Sequence, residues 1–240
     1  MLEVRGVSRR FGGLEALVGV DLVAQAGQVV AVIGPNGSGK TTLLNVISGV
    51  LTPDAGTVRW EGRDITGWPP HRVAHLGIGR TFQRPRIMET MTVRENIGLG
   101  FLFRARGLPV PQAMAMAQEV GEEVGLGDRL DVPAGDLTYI DQKRLELARA
   151  LAGDPRLLLL DEWLAGLTEG ELQVGLELLR RLRAQGKAVV LVEHVMSAVR
   201  AIADRVVVLH AGRKILEGEP EEVLKHPEVV ATYLGQDTGC

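Results

Sequence analysis

Apolar residues along this chain come in two rhythms. Short runs rich in β-branched and leucine residues recur at Val29 to Ile33, Leu157 to Leu160, Val189 to Val192 and Val206 to Leu209, each almost uninterrupted. Continuous runs of that length suit strands covered on both faces, as in a mostly parallel sheet. Between them the spacing changes to that of helices, at Thr41 to Ser48, at Glu171 to Ala184 with Leu172, Leu176, Leu179 and Leu182 in register, and at His194 to Ala203. Alternating strand and helix predicts an α/β fold.

Two regions break the alternation. Leu2 to Val7, Leu17 to Ala24 and Gly56 to Trp60 read as shorter strands joined by Gly and Asp turns with no helix between them, which predicts an antiparallel sheet beside the core. From about Arg86 to Pro155 strand patterns vanish. There Thr92-Val93-Arg94-Glu95 has the form of a capping box, and Gln112 to Val124 continues in helix formers, which predicts an inserted helical subdomain. The expected organisation is one domain, with residues 1–85 and 156–240 forming the core and its antiparallel sheet and 86–155 the helical insertion. No repeat or low-complexity stretch interrupts it, and the polar tail after Tyr233 is expected to fray.

Composition narrows the functional classes. A formal net charge of −3 with scattered histidines provides no field for nucleic acid or an anionic membrane surface. The single cysteine, Cys240, can build neither an internal disulfide framework nor a multi-cysteine metal site, which suits a reducing compartment. Charged residues at Glu3, Arg5, Arg9 and Arg10 replace any signal-peptide core, and no apolar run approaches the roughly 18 residues of a membrane helix. A cytoplasmic chain is expected, with any membrane role supplied by partners.

The strongest local signal is Gly34-Pro35-Asn36-Gly37-Ser38-Gly39-Lys40-Thr41, followed by Thr42. It has the form G-x-x-x-x-G-K-[ST] and lies between a predicted strand and a predicted helix, the context of a P-loop. Glycines let backbone N–H groups turn inward onto phosphates, and the helix N-terminus adds positive potential. Lys40 can reach the β and γ phosphates, and Thr41 can ligate Mg²⁺. ATP and Mg²⁺ are the expected ligands, although kinases, GTPases and helicases share this loop.

Asp161 and Glu162 end another apolar run, at the strand edge where α/β proteins bind ligands. Asp161 is a candidate Mg²⁺ holder and Glu162 a candidate base for the attacking water; the bland alternative is an acidic pair solvating a loop. Gln83, at the entrance to the helical insertion, offers an amide to metal or water, though most glutamines only decorate a surface. His194 follows Val189 to Val192 and Glu193, where its imidazole could hold a γ-phosphate or the water; a lone histidine is more often structural.

Taken in order, P-loop, Gln83, helical insertion, Leu137-Thr138-Tyr139-Ile140-Asp141, Asp161-Glu162 and His194 resemble the ATPase subunits of ABC transporters over essentially the whole chain. Within that family, Phe11 to Leu17, Asp64-Ile65-Thr66-Gly67, Pro70-His71-Arg72, Gly77 to Gln83 and Thr92 to Asn96 are similar to the branched-chain amino acid importers, with amide and urea importers close by. The resemblance implies an ATPase in which Phe11 stacks on adenine, Gln83 and His194 assist catalysis, and residues 137–141 form the signature that closes a partner's site. It further implies a second ABC ATPase subunit, transmembrane permease subunits, a solute-binding protein acting through them, and a place on the cytoplasmic face of the membrane. A soluble ABC ATPase usually carries two cassettes or a long coiled-coil insertion, and a P-loop phosphotransferase would not explain the signature.

Two departures from the family pattern stand out. Ile140 replaces the glycine of the signature, and Trp163 follows Glu162 where Pro is usual, with Ala165-Gly166-Leu167-Thr168 leading to Glu169 in place of an Asn or Asp before Pro. Both bear on how the two sites of a dimer communicate. The signature departure also predicts slower hydrolysis at the site this chain closes for its partner.

Overall fold

The computed structural model describes residues 1–104 and 108–234. The expected loose tail falls from residue 235 onward outside the described residues, as does Cys240. The chain opens with β1 (Leu2–Phe11) and β2 (Leu14–Ala24), then β3 (Val29–Ile33), α1 (Lys40–Ile47), β4 (Ala55–Trp60), β5 (Arg63–Asp64), α2 (Pro70–His75) and β6 (Ile78–Arg80). Next come α3 (Val93–Arg104), α4 (Val110–Glu123) and α5 (Tyr139–Ala152), the helical stretch. The remainder is β7 (Leu157–Asp161), α6 (Glu169–Ala184), β8 (Ala188–Val192), α7 (Met196–Ile202), β9 (Arg205–His210), β10 (Arg213–Gly218), α8 (Pro220–Val223) and α9 (Pro227–Leu234).

Two sheets result. The first, in order β2-β1-β4-β5, is antiparallel; the second runs β10-β9-β3-β8-β7-β6, parallel except for β10 against β9. The apolar runs are continuous because alternate residues enter different cores. Leu158, Leu160, Val189 and Leu191 join the apolar cluster of α3, α4, α5 and α6, whereas Leu157, Leu159, Val190 and Val192 join that of α1 and the antiparallel sheet. Both faces are therefore covered, at about 1.5–3 kcal/mol of stabilisation for each fully buried Leu or Val.

Side-chain caps set several of the helix starts. Thr168 and Glu171 form a capping box, so α6 begins at Glu169 rather than Glu171. Thr138 accepts the N–H of Asp141 and starts α5 at Tyr139. The expected helix from His194 begins only at Met196, after the extended Val195 (φ −81°, ψ 94°); the Glu193 carboxylate accepts the His194 N–H at 3.3 Å. The Thr92–Glu95 box forms as expected at the entrance to α3. Strand β6 is short and contains Gly79, which hid it from its apolar pattern.

Candidate nucleotide site

Backbone bonds past the strand ends gather the candidate residues on one edge of the parallel sheet. Thr81 donates to Leu159 O at 3.0 Å, Glu162 to Val192 O at 2.9 Å and Glu193 to Val32 O at 3.4 Å. The loops after β6, β7, β8 and β3 are thereby stitched side by side at the carboxyl edge, where α/β sheets bind ligands.

The loop after β3 wraps tightly. Gly34 (φ 150°) could carry no Cβ, which would fall 2.1 Å from Leu209 O; at Gly39 (φ 103°) the clash would be with Ala16 O at 2.4 Å. Pro35 is half-buried and Asn36 and Gly37 are exposed at the tip. Lys40 starts α1 with its ammonium bound to Gly34 O (2.8 Å) and Pro35 O (2.9 Å). Burial lowers the lysine's pKa, opposed by the charges of Glu162 and Asp161. The Ser38 hydroxyl is buried inside the loop without a hydrogen-bond partner among the described residues, a donor that a phosphate oxygen would satisfy. Thr42 is half-buried one position beyond Thr41.

The carboxylates meet this loop. Thr41 Oγ1 lies 3.4 Å from Asp161 Oδ1, and Asp161 is 2% exposed. Burial raises the Asp161 pKa; Arg80, 3.7 Å from Oδ2, opposes that. Glu162 adopts φ 51°, a conformation rare outside glycine that is retained only when its surroundings enforce it. Its carboxylate accepts Gln83 Nε2 at 2.8 Å. Thus Thr41, Asp161, Glu162 and Gln83 form one cluster beside Lys40. The exposed His194 sits at the neighbouring strand end, two residues past Val192, which pairs with Asp161.

Phe11, at the turn between β1 and β2, is 44% exposed with Arg9 stacked near its ring, so it is a surface aromatic rather than a core one. The signature segment is divided by burial. Leu137 and Asp141 are buried, and Asp141 is tied to Thr138, Arg129 and Arg144, which makes it a structural anchor of the α5 start. Thr138 and Tyr139 are exposed, and Ile140 lines a cavity of about 290 Å³ with Trp163, Leu167 and Val174.

Sequence reasoning passed over a set of buried charges that hold these loops. Glu146 accepts the N–H groups of Phe82 (3.0 Å) and Arg86 (2.9 Å), fixing both sides of Gln83. Glu193, fully buried, accepts Leu164 N at 2.6 Å and so ties the loop after Glu162 to the strand before His194. Arg80 joins Asp161 to Ser48, the residue just past α1. The available signal was charge inside an apolar pattern: Glu193 directly follows Val189 to Val192, and Glu146 lies between Leu145 and Leu147.

Fold and site together define a P-loop nucleoside triphosphatase, with an antiparallel sheet on one side of the core and a helical insertion on the other. The profile of the family described as "ABC transporter" matches residues 17–165, and that described as "Branched-chain amino acid ATP-binding cassette transporter" matches residues 213–238. The chain is 40% identical to the high-affinity branched-chain amino acid transport ATP-binding protein BraF of Pseudomonas aeruginosa and 36% identical to LivG of Escherichia coli, covering 98% of both sequences in each case. It superposes on the ADP conformation of an ATP-binding cassette of an ABC transporter with a TM-score of 0.89 at 35% identity, over 98% of each chain. A dimeric cassette in a post-hydrolysis state bound to ADP and Pi gives 0.84 at 27% identity, over 92% of this chain and 99% of that one. The chain belongs to the ABC transporter family of ATP-binding proteins.

Proposed function

We propose that this chain is the ATP-hydrolysing subunit of an importer for branched-chain amino acids, working in a head-to-tail pair with a second ABC ATPase beneath two membrane subunits. The observation that carries the reading is the single cluster of Thr41, Asp161, Gln83 and Glu162 against the P-loop, because it assembles binding and water activation at one sheet edge. The relatives named for branched-chain amino acid transport support the solute.

In this reading the backbone of residues 34–39, the Ser38 hydroxyl and the Lys40 ammonium bind the phosphates, while Phe11 offers its ring to the base. The donor set suits Mg²⁺, a hard ion that takes oxygens: the Thr41 hydroxyl, the Asp161 carboxylate reached through water, and the Gln83 amide oxygen. Such an ion supplies neutralisation of the charge that develops on the transferred phosphoryl group. Glu162 takes the proton of the attacking water, its position set by the Gln83 amide and the left-handed turn. His194 lies where it can hydrogen-bond the γ-phosphate. Thr138 and the start of α5 face the partner's nucleotide.

Among the described residues no helix is long and apolar enough to cross a membrane; in this reading separate membrane subunits dock on the chain. A cleft of about 1030 Å³ between the core and the helical stretch, lined by Val50, Phe82, Arg86, Met88, Phe103 and Arg149, fits an entering helix. Met88 and Phe103 are 45% and 46% exposed, whereas Ile87 packs inward against the helical core, so docking falls to Met88 rather than to Ile87. A solute-binding protein would act through the membrane subunits without touching this chain. The test is purification of the native complex and its reconstitution into vesicles with leucine. ATP-dependent leucine uptake is expected. Phosphate release with no uptake of any branched-chain amino acid would reject the assigned solute.

A further inference from the structure

A ring of polar contacts joins parts of the chain that the head-to-tail reading assigns to two different ATP sites. Lys143, one turn into α5, is 3% exposed, and its ammonium donates to three carbonyls of the loop after β7: Glu162 O (3.0 Å), Trp163 O (3.3 Å) and Ala165 O (2.7 Å). An ammonium has three N–H groups, so its donors are matched to that loop. The bond is returned by Trp163, whose indole Nε1 donates to Lys143 O at 3.2 Å. Trp163 is also 3% exposed and packs over Gly175 of α6, where a Cβ would come within 3.2 Å of its ring. The second arm of the ring starts at Tyr139, the first residue of α5. Its hydroxyl donates to Gln83 O at 3.3 Å, and its ring lies 5.2 Å from the Lys143 ammonium. Gln83 in turn holds the Glu162 carboxylate at 2.8 Å.

The start of α5 is thus bolted to Glu162 from both sides, through main chain by Lys143 and through side chain by Gln83. Trp163 is one of the two departures from the family pattern, and here it supplies a side-chain donor and a buried ring that a proline could not.

We propose that Lys143 is a positioning residue which, together with Trp163, makes the signature segment and the Glu162 loop one rigid unit. Engagement of the signature with the partner's nucleotide then sets the position of the base at this chain's own nucleotide. The idea rests on the head-to-tail reading above. Its consequence is that hydrolysis at the site of Glu162 depends on closure at the opposite site, whereas ATP binding does not.

The test uses the assembled native complex carrying Lys143→Met, Lys143→Arg or Trp163→Phe, with ATP turnover measured against Mg-ATP concentration. A displacement of about 1 Å at a reacting group costs on the order of a hundredfold, so Lys143→Met is expected to lower kcat by roughly tenfold to a hundredfold. KM should stay within about threefold, because uniform binding is untouched. Lys143→Arg, which keeps charge and donors, should recover most of the rate. Trp163→Phe keeps a buried aromatic ring but loses the N–H together with part of the indole's volume, so it should lower kcat with KM unchanged and serves as the reading if Lys143→Met does not assemble. The proposal is overturned if Lys143→Met and Trp163→Phe both turn over within about twofold of wild type, or if kcat and Mg-ATP affinity fall together and Lys143→Arg restores neither. A wild-type complex that releases no phosphate would instead overturn the function on which the proposal rests.

Discussion

Replacing Glu193 by alanine is expected to loosen the catalytic loop and to lower the stability of the whole chain. The carboxylate is fully buried and accepts the Leu164 N–H at 2.6 Å and the His194 N–H at 3.3 Å. In Glu193→Ala the Leu164 N–H, on a residue that is itself 1% exposed, is left without its acceptor. A buried donor so orphaned costs about 1–3 kcal/mol, and the space left by the side chain adds to it, giving roughly 2–5 kcal/mol in all. For a chain of this size about 2–4 °C of Tm accompanies each kcal/mol, so a fall of roughly 4–20 °C is expected in a thermal melt. Glu193→Gln keeps an acceptor for Leu164 and should fall less. The pH dependence has a definite sign. Burial raises the Glu193 pKa above the usual carboxylate value, so the folded state binds its proton more tightly than the unfolded chain. The associated stability is fully present below the unfolded pKa and is lost as pH rises through the folded one, a loss that Glu193→Gln does not share. The gap between wild type and Glu193→Gln should therefore shrink as pH rises from the acid side. A Glu193→Ala melt within about 2 °C of wild type, or a glutamine variant as damaged as the alanine one, would refute the role given to this carboxylate.

Two further outcomes are expected where the chain meets its proposed partners. Met88→Glu puts a charge into the apolar cleft and should weaken assembly with the membrane subunits at least tenfold, about 1.4 kcal/mol, while leaving ATP affinity unchanged; co-purification and a nucleotide titration measure the two. Intact assembly of a destabilised Met88→Glu chain would show instead that Met88 belongs to the helical core. In a complex whose Glu162→Gln change silences this chain's own site, Ile140→Gly should raise the residual turnover by roughly tenfold, since it restores the close approach of backbone N–H groups at the start of α5. An unchanged residual rate would mean that Ile140 is accommodated in its cavity against Trp163 at no catalytic cost.

What could be read in advance was whatever is local. The P-loop shows itself because eight consecutive residues carry the whole device, and β3, β7, β8 and β9 do so because burial on both faces leaves an unbroken apolar run. Caps were only partly legible. The Thr92–Glu95 box stood out before an apolar helix, but the equally complete Thr168–Glu171 box sits in a stretch where Glu169, Gly170 and Glu171 carry no apolar rhythm. The supports of the site were hidden for a different reason. Lys143 and Glu146 look like ordinary charges on a helix, and only the packing of α5 against the loops after β6 and β7 turns both inward onto backbone groups up to 64 residues away. Likewise, Asp141 reads as the last signature residue, yet its carboxylate is taken by Arg129 and Arg144. Arg129 lies 12 residues earlier in a single 3₁₀ turn, Gly127–Arg129, too short for periodicity to reveal.

In the proposed function Glu162 is the base that activates water for hydrolysis of ATP held on the loop of residues 34–41. Glu162→Gln tests it directly in the assembled complex, because the amide keeps the shape and loses the proton acceptor. Mg-ATP binding is expected at the wild-type affinity, with phosphate release from this site slowed by roughly a hundredfold or more. Retention of near wild-type turnover, in a complex whose partner carries the equivalent change, would contradict the account.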